Sequence, residues 1–383
     1  MSRVLIVGGG IAGLTAAIAL RRIGVDVEIV ELKSQWESVS SGIFLQSNGL
    51  AMLRRLGVLP SILKSGFAVR DAMPVMGQDG EPITSVLYPR TAGPDLPATV
   101  GIKRSTLHTI LASAADQAGA RITLGTSVAA LQPSQSGTSV ETTHGATDQF
   151  ALVIGADGVH SVVRSLALPD RAAPSESDFG VWRCIARRPK QLDEKIMMIT
   201  AGLRLGIMPI SDDELYLFGI VREGVGARFP PDEWAVTMRR RFQDFRGWAP
   251  HLLDAATSFH YAVIEEVDAT PRWSNGCVLL IGDAAHATTP FMGQGASMAI
   301  EDSVVLADLL SADSDVWDSC ESIRALLAAF EQRRRARVQL VQERSLAAGR
   351  AWGSDADAFS SNDLRGTMQT RVDELYAVLA NPP

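Results

Sequence analysis

Cysteine is scarce in this chain. Three among 383 residues (Cys184, Cys277 and Cys320) are too few, and odd in number, for a disulfide framework. They read as small core residues of a reduced, cytoplasmic protein. Positive charge is also in deficit: the formal net charge of −7 argues against nucleic acid or an anionic membrane as a partner. Long apolar runs are missing too. The most apolar stretch, Val4 to Leu20, is interrupted by four glycines and has only Arg3 as a basic flank, so neither a membrane span nor a signal peptide is expected. No Cys/His/Asp cluster has metal-ligand spacing and no Gly-x-Ser-x-Gly elbow occurs, so no metal is expected.

What is present points to a large α/β protein. At 46% hydrophobic the chain can bury the core of one complex domain or two coupled ones. Val4 to Val7 reads as a strand, followed by a glycine turn, a helix over Gly13 to Ile23 and a strand over Val25 to Glu31, which makes one βαβ unit. Asn48 is expected to cap a short helix carrying Leu50, Leu53 and Leu56. Ser105 is expected to cap another with Leu107, Ile110, Leu111 and Ala114 on one stripe, and Arg121 to Leu124 returns to the sheet. Residues 71 to 100 and 178 to 270 read differently, as short extended pieces broken by turns such as Gln78-Asp79-Gly80-Glu81 and Ser211-Asp212-Asp213, an antiparallel signature. Cys277 to Ile281 then reads as a buried strand leading to a long helix from about Gly295. The remainder is helical, with the basic run Arg333 to Arg337 expected on a solvated face and Asp363 to Leu379 on a surface helix.

Three motifs carry chemistry. In Gly8-Gly9-Gly10-Ile11-Ala12-Gly13 the glycines allow a tight turn and let backbone N–H groups approach a pyrophosphate at the positive end of the following helix. Glu31, ending the next strand, is placed to accept from a ribose hydroxyl and disfavours a 2′-phosphate there. The second motif runs Gly282-Asp283-Ala284-Ala285-His286-Ala287-Thr288-Thr289-Pro290 and on through Gly293-Gln294-Gly295-Ala296. It is an aspartate at a strand end, then a loop, then a helix whose opening amides point a dipole at a bound anion. The third is Gly155-Ala156-Asp157-Gly158 after the strand Leu152 to Ile154, with Arg164 beyond; by itself it is equally well a plain turn.

In this order and spacing the motifs resemble the flavoprotein monooxygenases typified by para-hydroxybenzoate hydroxylase, over nearly the whole chain. The resemblance implies that Gly8, Gly10, Ala12, Gly13 and Glu31 hold the ADP half of FAD and that Asp283 binds its ribityl chain. It places Pro290, Gly293, Gly295 and Ala296 beside the flavin ring, gives Asp157 a share of the FAD and nicotinamide sites, and adds Arg104 and Val128 to the cofactor residues. The fold it implies is a Rossmann-like FAD domain (residues 1–70, 101–177 and 271–340). A mostly antiparallel β-sheet substrate domain (71–100 and 178–270) is inserted into it, and C-terminal helices (341–383) follow. The partners implied are NADH or NADPH, O₂ and a small aromatic substrate, in a monomer or homodimer.

Two smaller branches are closer, the FAD-dependent urate hydroxylases and the bacterial alkylquinolone hydroxylases. Leu203-Arg204-Leu205-Gly206-Ile207-Met208-Pro209 and Glu214-Leu215-Tyr216-Leu217-Phe218 resemble the urate branch at its substrate-contacting arginine and tyrosine, and Trp182-Arg183 resembles the quinolone branch. Phe291 stands where the urate branch has an acid, which leans the pocket toward an apolar-substituted ring. Arg204 and Tyr216 are therefore the catalytic candidates, with Phe44, Phe218, Phe291 and Met292 as substrate-binding ones. A side chain such as Arg204 amid apolar neighbours is costly to bury unless paired, and a substrate oxyanion would pair it; a nearby carboxylate would do so equally well. His286 is expected to shape the loop beside the flavin. The rival readings are a flavin oxidase or dehydrogenase, a halogenase, whose Trp-x-Trp-x-Ile-Pro signature is absent, and a non-catalytic FAD carrier.

Overall fold

The computed structural model describes residues 3–36, 41–134, 137–200, 202–313, 315–354 and 361–383, with side chains described at all of these except 352–354 and 361–365. The opening strand Arg3–Val7 pairs in parallel with Asp26–Glu31 on one side and Leu152–Gly155 on the other. Arg121–Leu124 and Val278–Leu280 extend this parallel set outward, and the short antiparallel strand Ser274–Asn275 closes a six-stranded sheet. Parallel strands covered on both faces should be apolar throughout, and Val4 to Val7, Leu152 to Ile154 and Val278 to Leu280 are all buried. The first helix, Ile11–Arg22, packs on this sheet, and the long helix Gly295–Ala312 packs against that helix.

A second, seven-stranded sheet takes its strands from Ala72–Met76, Pro82–Leu87, Ser175–Arg187, Ile196–Thr200, Leu203–Pro209, Glu214–Arg222 and Thr257–Glu266. Its two faces separate by strict alternation. Trp182, Cys184, Leu205, Ile207, Leu215 and Leu217 point to an outer core completed by the helices Trp234–Arg241 and Ala249–Asp254. Val181, Arg183, Tyr216 and Phe218 point the other way, toward the glycine turn at the start of the helix Ile11–Arg22. The register Met208↔Tyr216, Gly206↔Phe218, Arg204↔Ile220 puts the two candidate strands on that same inner face.

Several local expectations shift. The helix expected to start after Asn48 covers Ser47–Arg55, so Asn48 lies inside it, where its side-chain amide donates to Glu301 (2.8 Å) and Gln294 (3.1 Å) instead of capping. The next helix begins at Arg104, not after Ser105, and has no side-chain cap. A three-stranded meander over Val128–Ser134, Gly137–Thr142 and Thr147–Phe150 escaped notice, because its alternation is mostly polar. A single helix, Cys320–Ser354, runs through residue 340, and a last helix covers Ser361–Leu379. No helix among the described residues is long and apolar enough to cross a membrane.

The largest correction concerns the basic run. Arg334 is 0% exposed and Arg337 7%, so these two turn inward, while Arg333 and Arg335 keep to the solvated side. Arg334 donates to Asp302 (2.8 Å) and Glu301 (2.7 Å), and Arg337 donates to both oxygens of Glu301 (2.8 and 2.9 Å). Burial alone would raise both carboxyls, but Arg334 and Arg337 for Glu301, and His286 with Arg334 for Asp302, hold them below their ordinary values. Asp302 also accepts from the Gly282 N–H (2.9 Å) and bonds the His286 ring (2.7 Å). The network thus ties the Asp283 turn to two long helices.

Candidate active site

Two cavities adjoin between the glycine turn and the inner face of the large sheet. The outer one is a cleft of about 330 Å³. On its floor lie Gly10, Ile11 and Ala12 at the start of the first helix, and Gly295 and Ala296 at the start of the long one. Neither helix has a side-chain cap, so the first-turn amides of both present donors and the positive end of a dipole to the cleft. The turn leaves no alternative to glycine at two points. Gly8 has φ +106°, and a Cβ on Gly13 would sit 1.9 Å from the Gly8 carbonyl oxygen. At Gly10 the direction of a Cβ is empty, which leaves the backbone open to a ligand.

These residues fit FAD. Two uncapped helix ends suit the pyrophosphate and the negative charge of a reduced flavin. Asp283 is exposed to the cleft and makes no hydrogen bond among the described residues, as expected of a group reserved for ligand hydroxyls. Arg104, Pro290 and Gly293 line the same cleft. Glu31 stands at the turn itself: its carboxylate accepts from the Gly9 N–H (2.7 Å) and the Lys33 N–H (3.0 Å), and each oxygen retains a lone pair for a further donor.

Other expected cofactor residues do not reach the cleft. Val128 is buried in the core at the start of the meander. The Asp157 carboxylate accepts from Ser161 (2.5 Å) and from the Val162 and Val163 amides (2.8 and 3.1 Å), so it organises the start of the helix Val162–Ala167; its neighbours Ala156 and Gly158 line the cleft. His286 is buried against Asp302 and shapes the loop.

The inner cavity is small, about 50 Å³, and joins the cleft through Phe44, Phe218, Pro290 and Gly293, which line both. All four expected substrate residues meet there: Phe44, Phe218, Phe291 and Met292. Phe44 and Phe218 stand edge to face at 5.3 Å, and Phe218 fits because a Cβ on Gly206 would lie 2.1 Å from its ring. Phe291 is held edge-on to Phe179 (5.3 Å) over Gly349, where a Cβ would come within 2.6 Å.

The two catalytic candidates fall on either side of this aromatic partition. Tyr216 lines the cleft, and Arg204 lines the inner cavity, four positions away along the paired strands and so roughly 13 Å apart. Burial raises the Tyr216 phenol above its ordinary value, with Arg183 pulling the other way, so the hydroxyl stays protonated at neutral pH. Arg204 is 9% exposed, gives Nη2 to the Ala348 carbonyl (3.3 Å) and lies over Phe291 (5.2 Å).

Sequence reasoning missed several residues of the site. Arg183 lines the cleft beside Tyr216; its alternation with buried Trp182 was the available signal. His108, whose Nε2 bonds the Gly9 carbonyl (2.8 Å), and Trp36, packed on His108 at 4.7 Å, brace the glycine turn from remote segments. Lys195 and Tyr88 line the inner cavity, and nothing local announced either.

Known proteins share this chain's sequence and fold. The chain is 32% identical over 374 residues to a 2-heptyl-3-hydroxy-4(1H)-quinolone synthase of Pseudomonas aeruginosa, covering 94% of this chain and 93% of the relative. It is 31% identical over 320 residues to the aurachin C monooxygenase/isomerase of Stigmatella aurantiaca, covering 82% of each. The fold matches that of Klebsiella pneumoniae HpxO, solved with FAD and uric acid, at a TM-score of 0.86 and 22% identity over 100% of this chain and 97% of that one. A family described as FAD binding domain matches residues 1–345, nearly the entire described architecture, and the chain therefore belongs to this family of FAD-binding proteins.

Proposed function

We propose that the protein is an FAD-dependent monooxygenase that hydroxylates an electron-rich aromatic or N-heteroaromatic small molecule, with NADH or NADPH as reductant and O₂ as the oxygen source. The observation that carries this reading is the junction of the two cavities. A cleft built for a dinucleotide opens directly, past Phe44 and Phe218, onto an aromatic-walled space. The relatives named above, a quinolone synthase and an aurachin monooxygenase, support the same chemistry.

FAD, when bound, would supply hydride acceptance and oxygen activation. The chain's own residues would bind, orient and exclude water. Gly10 to Ala12 and Asp283 would hold the cofactor, and the opening of the helix Gly295–Ala312 would favour negative charge next to it. Phe44 and Phe218 would wall a ring on its apolar faces and keep water from the reacting carbon. Tyr216, protonated at neutral pH, would donate a hydrogen bond to an oxygen on the ring, or accept one from a ring hydroxyl, within reach of the cleft.

The test is a screen of aromatic and N-heteroaromatic compounds against the FAD-loaded protein for stimulated NADH or NADPH oxidation, with mass analysis of the product. A product heavier by one oxygen atom is the expected result. A flavin reduced well by some other donor and indifferent to every aromatic would make the protein an oxidase or dehydrogenase instead.

A further inference from the structure

Lys195 is an anomaly of this fold. It is 4% exposed, it precedes the strand Ile196–Thr200 and it lines the inner cavity. Its ammonium makes no hydrogen bond or ion pair among the described residues, and its one close partner is the Tyr88 ring, with Nζ 3.3 Å from the centroid. A ring face offsets only part of the cost of taking an ammonium out of water.

Among the described residues, the surroundings supply little negative charge. Asp71 is the acidic group that acts on Lys195, but its carboxylate is engaged with Arg90 (2.7 Å) and the Ala98 amide (3.2 Å). Arg204, on the neighbouring strand, presents a second cation to the same cavity. Arg371, on the last helix, adds positive charge near Arg204. Tyr88 and Tyr376, also facing this region, are both pushed up by burial and stay neutral. Burial accordingly lowers Lys195 to about 7, with Asp71 opposing.

We infer that the inner cavity is a recognition site for an acidic substituent of the aromatic substrate, a carboxylate or ionised oxygen seated between Lys195 and Arg204, and that Lys195 is a specificity determinant for it. This rests on the aromatic monooxygenase reading above and names the substrate class of that same site. The space of about 50 Å³ suits such a group: one water needs roughly 10–15 Å³ of cavity measured in this way, so it takes a few heavy atoms and not a whole ring. The ring itself would then lie at the aromatic partition, toward the cleft.

Binding can be read without turnover, from perturbation of the flavin absorbance of the FAD-loaded protein. The probes are benzoate, 2-aminobenzoate and 4-hydroxybenzoate, each against its neutral carboxamide, with acetate as the anion lacking a ring. At least one acid should bind about tenfold or more tighter than its amide and than acetate, the discrimination expected of a charge-assisted contact. In Lys195→Met and Lys195→Gln that preference should collapse, with FAD content and melting temperature reporting that both variants fold. In the wild type the preference should also weaken above a pH of about 7, because the acid must then draw a proton onto Lys195 as it binds. Amides that bind as well as acids, an acid preference untouched in both variants, or no binding by any probe would overturn the inference. The two readings fail separately. Hydroxylation of aromatics without acid preference sinks only the Lys195 assignment, and acid preference without any aromatic-stimulated NAD(P)H oxidation sinks only the reaction.

Discussion

Two groups of buried charge occupy this chain, and they are built on opposite plans. In the network of Glu301, Asp302, Arg334 and Arg337, two carboxylates face two guanidiniums, and each carboxylate accepts hydrogen bonds from a guanidinium. In the inner cavity, Lys195 and Arg204 bring two cations to one apolar space, and Asp71 stands outside it, tied to Arg90. The first arrangement satisfies its charges internally and serves the fold, by fixing the turn that carries Asp283. The second leaves the charge of Lys195 for a ligand to complete. A buried ion with no opposite charge bonded to it among the described residues is evidence of function, because the folded state bears its desolvation without return.

Breaking the satisfied network should have the largest effect. Arg334→Met would leave Glu301 to Arg337 and Asn48 alone, and Asp302 to the Gly282 N–H and the His286 ring; removal of one partner of a buried pair costs about 3–5 kcal/mol. Denaturant titration should show that loss, with FAD falling away as the Asp283 turn loosens. Because both carboxyls are held below their ordinary values, the network's contribution is present above the unfolded carboxylate pKa and fades as the pH falls through the depressed folded values. A variant as stable as the wild type would erase the contrast between the two groups.

Asp283 tests whether an unpartnered charge outside the inner cavity is likewise reserved for a ligand. Asp283→Ala should leave the melting temperature of the FAD-free protein nearly unchanged while weakening FAD by roughly 1.5–3 kcal/mol, about ten- to over a hundredfold. Retention of FAD at wild-type affinity would remove Asp283 from the cofactor site.

Lys195 sharpens the comparison from the other side, since here deletion of a charge should help. Lys195→Met should raise the stability of the ligand-free protein at neutral pH. The gain should shrink as pH rises above about 7, where the wild type loses its penalty: folded Lys195 is then neutral while the unfolded one still binds a proton. The wild type should gain at most ~1.4 kcal/mol per pH unit over that window relative to the variant. Parallel stability curves across the window would mean that Lys195 is comfortable where it lies.

The smallest effect is expected at Tyr216. Tyr216→Phe keeps the packing against Phe218 (5.7 Å) and Phe44 (6.1 Å) and removes one hydroxyl, worth about 0.5–1.5 kcal/mol. Substrate binding should persist while hydroxylation slows or NAD(P)H oxidation uncouples from it. Unchanged rate and coupling would make Tyr216 a packing residue of the inner sheet face.

How much of this was legible depends on how local its cause is. The glycine turn, the strand ends at Glu31 and Asp283 and the helix opening at Gly295 are set by contiguous residues, and the cleft they form was readable in advance. The inner-face alternation of Tyr216 and Phe218 was readable for the same reason. Within the basic run, Arg334 and Arg337 were misread because polar residues at helical spacing describe a solvated face and a paired buried one equally well. Only Glu301 and Asp302, about thirty positions earlier, decide between them. Lys195, in the run Asp193-Glu194-Lys195, reads as surface for a similar reason.

The sequence by itself determined the dinucleotide turn and the two kinds of sheet, since each follows from backbone geometry and short-range periodicity, while the aromatic character of the substrate side was carried by the family resemblance. Tertiary structure alone decided which charges are matched. The parallel pairing of Ile196–Thr200 with Ala72–Met76, and Tyr88 at the end of the next strand, carry Lys195 under an aromatic ring and away from water. The packing of the helix Cys320–Ser354 on Gly295–Ala312 brings Arg334 and Arg337 to their carboxylates. The energy of a buried charge is fixed by its neighbours within a few ångströms, and those neighbours are distant in the chain.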